Sequence, residues 1–153
     1  MEPELSLQIH LLLFTVGKVH FALVASQIQA LEAYRGSGGE SPFWFHEEMG
    51  YPETPIYHSP MLAIVPMGDG PPARVVITEM EELLDVPVKA IRPFPPLIEP
   101  FALRKGMFGL LVHRGKHIIL VDLQRLFEKE ALMSQRSINV VCMSGGLWSG
   151  SSA

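Results

Sequence analysis

The apolar positions of this chain come in short runs cut by glycine, proline and charge, a rhythm that predicts strands rather than long helices. Leu5 to Val16 is largely apolar and stops at Gly17-Lys18, after which Val19 to Val24 resumes. Two such runs across a short glycine-containing turn predict a β-hairpin. Ile28 to Tyr34 reads as a further strand, although its Ala, Gln and Glu also suit a helix. Arg35 to Gly39 reads as a flexible loop. Pro42, Pro52, Pro55 and Pro60 follow, and proline cannot donate to a sheet ladder. Residues 35–60 are therefore expected to be an excursion with one short strand and one helical turn near Glu47 to Gly50.

The second half repeats the strand rhythm. Met61 to Met67 predicts a buried strand, Asp69-Gly70-Pro71-Pro72 a turn, and Arg74 to Thr78 and Met80 to Val86 two more strands. Ile91 to Leu97 contains Pro93, Pro95 and Pro96 and predicts a stiff extended connector. Met107 to Val112 and His117 to Val121 flank Arg114-Gly115-Lys116, a second hairpin. From Asp122 the period changes: Leu123, Leu126, Phe127, Glu130 and Ala131 space as a helix, with Asp122 placed to cap it. Ile138 to Met143 suits a last strand, and residues 144–153 a flexible tail. About eight short strands with one convincing helix predict an all-β fold, a barrel or paired barrels, in one domain spanning residues 1–143.

Composition narrows the class. The chain has 153 residues, 48% of them hydrophobic and only 18% charged. A typical domain is about 25% charged, so the polar exterior is thin and leaves apolar surface for a partner. The net charge of −4 argues against nucleic acid as a partner, because phosphate binding needs a basic surface. A single cysteine, Cys142, excludes an intramolecular disulfide and suits a reducing cytoplasm. Glu2 and Glu4 at the start, and Gly17, Lys18 and His20 inside the first apolar region, speak against a signal peptide. No run reaches the roughly 20 apolar residues of a membrane span, so no direct membrane insertion is expected.

Candidate chemistry is sparse. His113 and His117 are four apart but straddle a turn that carries Arg114 and Lys116, which oppose a metal. His46-Glu47-Glu48 lacks the second histidine of a zinc-protease helix, and Ser144-Gly145-Gly146 lacks the lysine of a phosphate loop. Cys142 has no adjacent base to activate it. Glu79, Glu81 and Glu82 read as solvated carboxylates. No catalytic residue, metal or cofactor is expected. Phe43-Trp44-Phe45 is either core or an exposed anchor.

The order and spacing of several segments resemble the CheW-like family of chemotaxis coupling proteins. These are Leu13 to Leu23 with Ile28-Gln29-Ala30-Leu31, then Val75 to Thr78, Met80 to Val86, Ile91 to Leu97, and Arg114 to Phe127. The resemblance implies two intertwined SH3-like barrels, the second centred on about residues 61–121, with a hydrophobic seam. It also implies a non-catalytic adaptor joining a CheA-type histidine kinase regulatory domain and a chemoreceptor cytoplasmic tip. The aligned pattern places candidate protein contacts at Ile28, Ala30 and Leu31 in the first barrel, and at Arg92 and Phe94 on the connector. The family's Asn-Leu-Arg-Gly-like turn is absent, Pro42 to His46 stands where the following strand would be, and Ala30 replaces a common glutamate. A shortened first barrel exposes a strand edge and favours self-association. Alternatives of another class are a small β-barrel ligand-binding protein or an enzyme of unrecognised type.

Overall fold

The computed structural model of the chain describes residues 7–36 and 41–128. The strand expected at Ile138 to Met143, Cys142 and the tail from residue 144 lie outside them. Nine strands are described: β1 (Gln8–Val16), β2 (Val19–Val24), β3 (Ala30–Ala33), β4 (Phe43–Trp44), β5 (Met61–Val65), β6 (Ala73–Ile77), β7 (Glu82–Pro87), β8 (Met107–His113) and β9 (Lys116–Val121). Two short helices, α1 (Phe45–Glu48) and α2 (Glu99–Arg104), interrupt them, and residues 123–128 are helical. Ile28 to Tyr34 thus resolves to a strand over Ala30–Ala33, and the excursion holds its expected short strand and helical turn. Helix α2 is an addition to the expected elements.

The two expected hairpins are both present. Val16 pairs with Val19 around a two-residue loop in which Gly17 has φ 61°. His113 pairs with Lys116 around Arg114 (φ 53°) and Gly115 (φ 77°). Two successive positive φ values suit the right-handed twist of the strands, and Arg114 occupies a conformation usually left to Asn, Asp or Gly.

The strands form a five-stranded sheet, ordered β7-β1-β2-β9-β8, and a four-stranded sheet, ordered β3-β5-β6-β4. The parallel pairing of β2 with β9 joins the two hairpins. Residues 61–121 serve both sheets: β5 and β6 belong to the four-stranded one, β7, β8 and β9 to the other. The all-β architecture, two SH3-like barrel subdomains with a helix after the last hairpin, matches the fold class read from the sequence.

Strand β1 explains why its sequence alternates so little. Leu11 and Leu13 face one core with Ala22, Val86, Leu111, Ile118 and Leu120. Leu12, Phe14 and Val16 face a second core, shared with Ala63, Val65, Val75 and Ile77 of the four-stranded sheet. A strand buried on both faces must be apolar at successive positions. The shared core centres on Phe14, Phe21 and Phe45, with Phe45 edge-on to both other rings at 4.9 Å. The cluster Phe43-Trp44-Phe45 therefore divides: Phe45 is core, Trp44 is half-buried, and Phe43 is exposed on one side while its ring lies 4.9 Å from Phe127.

The five-stranded sheet curls until its ends meet. After β7 the chain turns through a short 3-10 segment, Val88–Ala90, and Arg92 then exchanges two main-chain hydrogen bonds with Leu110 of β8, both 2.8 Å. A Cβ at Gly109 would stand 2.5 Å from Ile91 Cγ2, so a glycine is required where the connector crosses. At the other end of the same strands, Glu82 Oε2 of β7 lies 3.6 Å from His113 Nε2 and 3.8 Å from Arg114 Nη2.

Candidate protein-binding surfaces

The two groups of candidate residues lie on different sheets. Ile28, Ala30 and Leu31 lie at or beside β3, an edge of the four-stranded sheet. Ala30 pairs with Ile64 and Leu31 with Ala63, while Ile28 and Leu31 are half-buried against the shared core. Among the described residues, the opposite edge of β3 has no strand partner. A sheet edge of this kind offers backbone donors and acceptors to an added strand.

The approach to β3 is fixed by a residue that the sequence pattern did not single out. Gln27 Nε2 donates to Asp122 Oδ1 at 2.7 Å, and Gln27 Oε1 accepts from the Leu123 N–H at 3.0 Å. Asp122 Oδ1 also accepts from the Arg125 N–H at 3.0 Å, which is the expected helix cap. The turn before β3 is thereby tied to the start of helix 123–128. Nothing in the periodicity marks a glutamine in a turn as an anchor of this kind.

Arg92 and Phe94 lie where the five-stranded barrel closes. The Arg92 main chain makes the closing bonds while its side chain is exposed, and Phe94 is half-buried. The connector then enters α2, where Ile98 and Glu99 N–H groups both donate to the Pro95 carbonyl at 2.9 Å. Pro100 sits in the first turn, where its missing N–H costs nothing. Glu99 at the start and Arg104 at the end complement the helix dipole. Leu97, Ile98 and Phe101 remain exposed, and the Arg104 guanidinium lies 5.2 Å from the Phe101 ring centre. The expected extended connector ended at Leu97, and the pattern assigned no element to Glu99–Arg104. The signal that could have found it is Glu99-Pro100 followed by Arg104, acid and proline first and base last.

Two open depressions lie on the described surface. One, of about 390 Å³, lies near the hairpin ends of the five-stranded sheet and is lined in part by His20, Glu81, Glu82, His113, Arg114 and Lys116. The other, of about 430 Å³, is shallow and lined by Thr15, Ile56, His58, Thr78, Glu79 and Glu81. It lies at the seam of the sheets, where Thr78 Oγ1 donates to the Thr15 carbonyl at 2.8 Å. Among the described residues, no three His, Cys, Asp or Glu side chains gather as a metal site.

Beside β4 the rings of Trp44 and Tyr57 meet edge-on at 5.2 Å, and Tyr34 meets Trp44 at 5.7 Å. The His46 N–H donates to Tyr57 Oη at 3.3 Å, and the Tyr57 hydroxyl lies 2.8 Å from His46 Nδ1. Burial pushes the Tyr57 hydroxyl up to about 12; the hydrogen bond from His46 opposes this and the Glu47 charge adds to it.

Two interleaved sheets of this order, closed by the connector and followed by a helix, define a CheW-like fold. The chain is similar to the crystal structure of the scaffolding protein TtCheW from Thermoanaerobacter tengcongensis, with a TM-score of 0.61 and 16% identity. The alignment covers 80% of this chain and 94% of that one. No family model and no curated protein sequence matches the chain.

Proposed function

We propose that the protein is a non-catalytic cytoplasmic adaptor of chemotaxis-type signalling that binds the regulatory domain of a CheA-type histidine kinase. The observation that carries this reading is the CheW-like fold over 80% of the chain, similar to a scaffolding protein. The way the apolar side chains are used supports it. They fill two cores and a seam, and the exposed remainder is gathered on edges and tips suited to protein contacts.

In this reading, Arg92 and Phe94 present one contact from the barrel closure. The free edge of β3, with Ile28, Ala30 and Leu31, presents another, to the kinase or to a chemoreceptor tip. Strand β4 pairs with only Val75 and Val76 of β6. That reduced pairing on the four-stranded sheet favours a second reading, in which the kinase contact is kept and the receptor contact is lost.

Titration calorimetry of the purified chain with a CheA-type regulatory domain, and separately with a receptor tip fragment, tests both. A complex with the kinase domain that weakens in Phe94→Ala or Leu31→Asp is the expected result. Binding to neither fragment, together with a copurified small molecule or substrate turnover, would overturn the adaptor reading.

A further inference from the structure

We propose that the connector and α2 form a seat for an anionic lipid bilayer surface. Residues 88–105 carry the most concentrated exposed apolar surface of the described chain. Leu97 is 84% exposed, Phe101 61% and Ile98 50%, with Val88 exposed at the base of the same segment. Four cations, Lys89, Arg92, Arg104 and Lys105, share this stretch with one anion, Glu99, while the rest of the chain holds eight cations against fifteen anions. The segment is thus a basic stretch with exposed apolar side chains on an acidic protein.

None of Lys89, Arg92 and Arg104 has an acidic partner among the described residues, so their charges remain available. Arg104 lies against the Phe101 ring, which places a cation beside an apolar tip. That pairing suits the boundary between lipid headgroups and acyl chains: the ring enters the apolar layer and the guanidinium stays with the phosphates.

The shape of the surface selects a fluid partner. Leu97, Ile98 and Phe101 protrude from a turn and a short helix, and none of them lines either depression. Protruding apolar side chains need a matched pocket in a folded protein, but a bilayer yields to them. Pro93, Pro95, Pro96 and Pro100 stiffen the segment, so little conformational entropy is lost on seating. No described helix is long and apolar enough to cross a membrane, and none is needed for surface binding. Each cation near an anionic leaflet adds to the attraction, which salt weakens. This inference does not depend on the adaptor reading.

Cosedimentation of the full chain with vesicles of phosphatidylcholine, with and without phosphatidylserine, tests it. The chain should pellet with the phosphatidylserine vesicles at low salt and release as salt is raised. Leu97→Asp with Phe101→Asp, and separately Lys89→Gln with Arg104→Gln, should each weaken partitioning on the order of tenfold. All four positions are exposed, and unchanged denaturant midpoints would show that the variants fold. Failure to pellet, or equal pelleting of wild type and both variants, overturns the proposal. So does concentration-dependent self-association, or binding to the kinase regulatory domain, that the Leu97/Phe101 variant abolishes while vesicles are ignored.

Discussion

The five-stranded and four-stranded sheets spend similar apolar side chains to different ends. The five-stranded sheet is buried on both faces along β1 and closes on itself through the connector, with ion-pairing side chains near its other end. Among the described residues, the four-stranded sheet shares its core with its neighbour and ends in two edges without a further strand, one of them a two-residue strand. A closed barrel stabilises itself, whereas an open one depends on what leans against it. The first sheet is therefore the self-closing frame, and the second leans on the core that the two share.

The strongest attempt to break this contrast is Phe14→Ala. Phe14 is fully buried between the sheets and touches Phe21 and Phe45, so its loss should cost about 3–5 kcal/mol. Urea unfolding should remain a single transition, because both sheets lean on this ring; two separated transitions would show that the sheets are independent. Gly109→Ala acts on the closed barrel alone. Its methyl group would meet Ile91 and the Arg92 carbonyl, at a cost of about 1–3 kcal/mol. Amide exchange should speed up at Arg92 and Leu110 and stay unchanged in β5 and β6.

Gln27→Ala acts on the open sheet. It leaves the Leu123 N–H without its acceptor and should cost about 1–2 kcal/mol, with exchange rising in β3 first. The smallest effect is on pH dependence. Tyr57 ionises near 10.0 when unfolded and near 12 when folded. Between those values the unfolded chain has released a proton that the folded chain retains, so stability falls as pH rises through this window. Tyr57→Phe should flatten that part of the stability profile, measured as the urea midpoint against pH.

Local chemistry made part of this legible from sequence. Gly17-Lys18 and Arg114-Gly115 announce their hairpins because tight turns demand positive φ, and Asp122 announces a helix because a carboxylate there accepts from the Arg125 N–H. The partition of strands between sheets was not legible. It depends on β2 pairing with β9, nearly a hundred positions away, and periodicity carries no record of partners. Helix α2 received no assignment because its six residues are too few to show a helical period. The candidate contacts came from a family resemblance rather than from chemistry, because residues such as Ala30 and Leu31 look alike in a core and on an edge. Gln27 was invisible for the opposite reason: its role exists only once the chain brings Asp122 beside it.

The bridge between Arg92 and Leu110 uses peptide atoms only. Every residue except proline carries both of those atoms, so the side chain at position 92 can be exchanged without undoing the fastening beneath it. The identity of the side chain at this point is therefore separable from folding. Position 92 can vary on an unaltered frame, whereas the same freedom is denied to Gly109, where a methyl group would meet Ile91 and the Arg92 carbonyl.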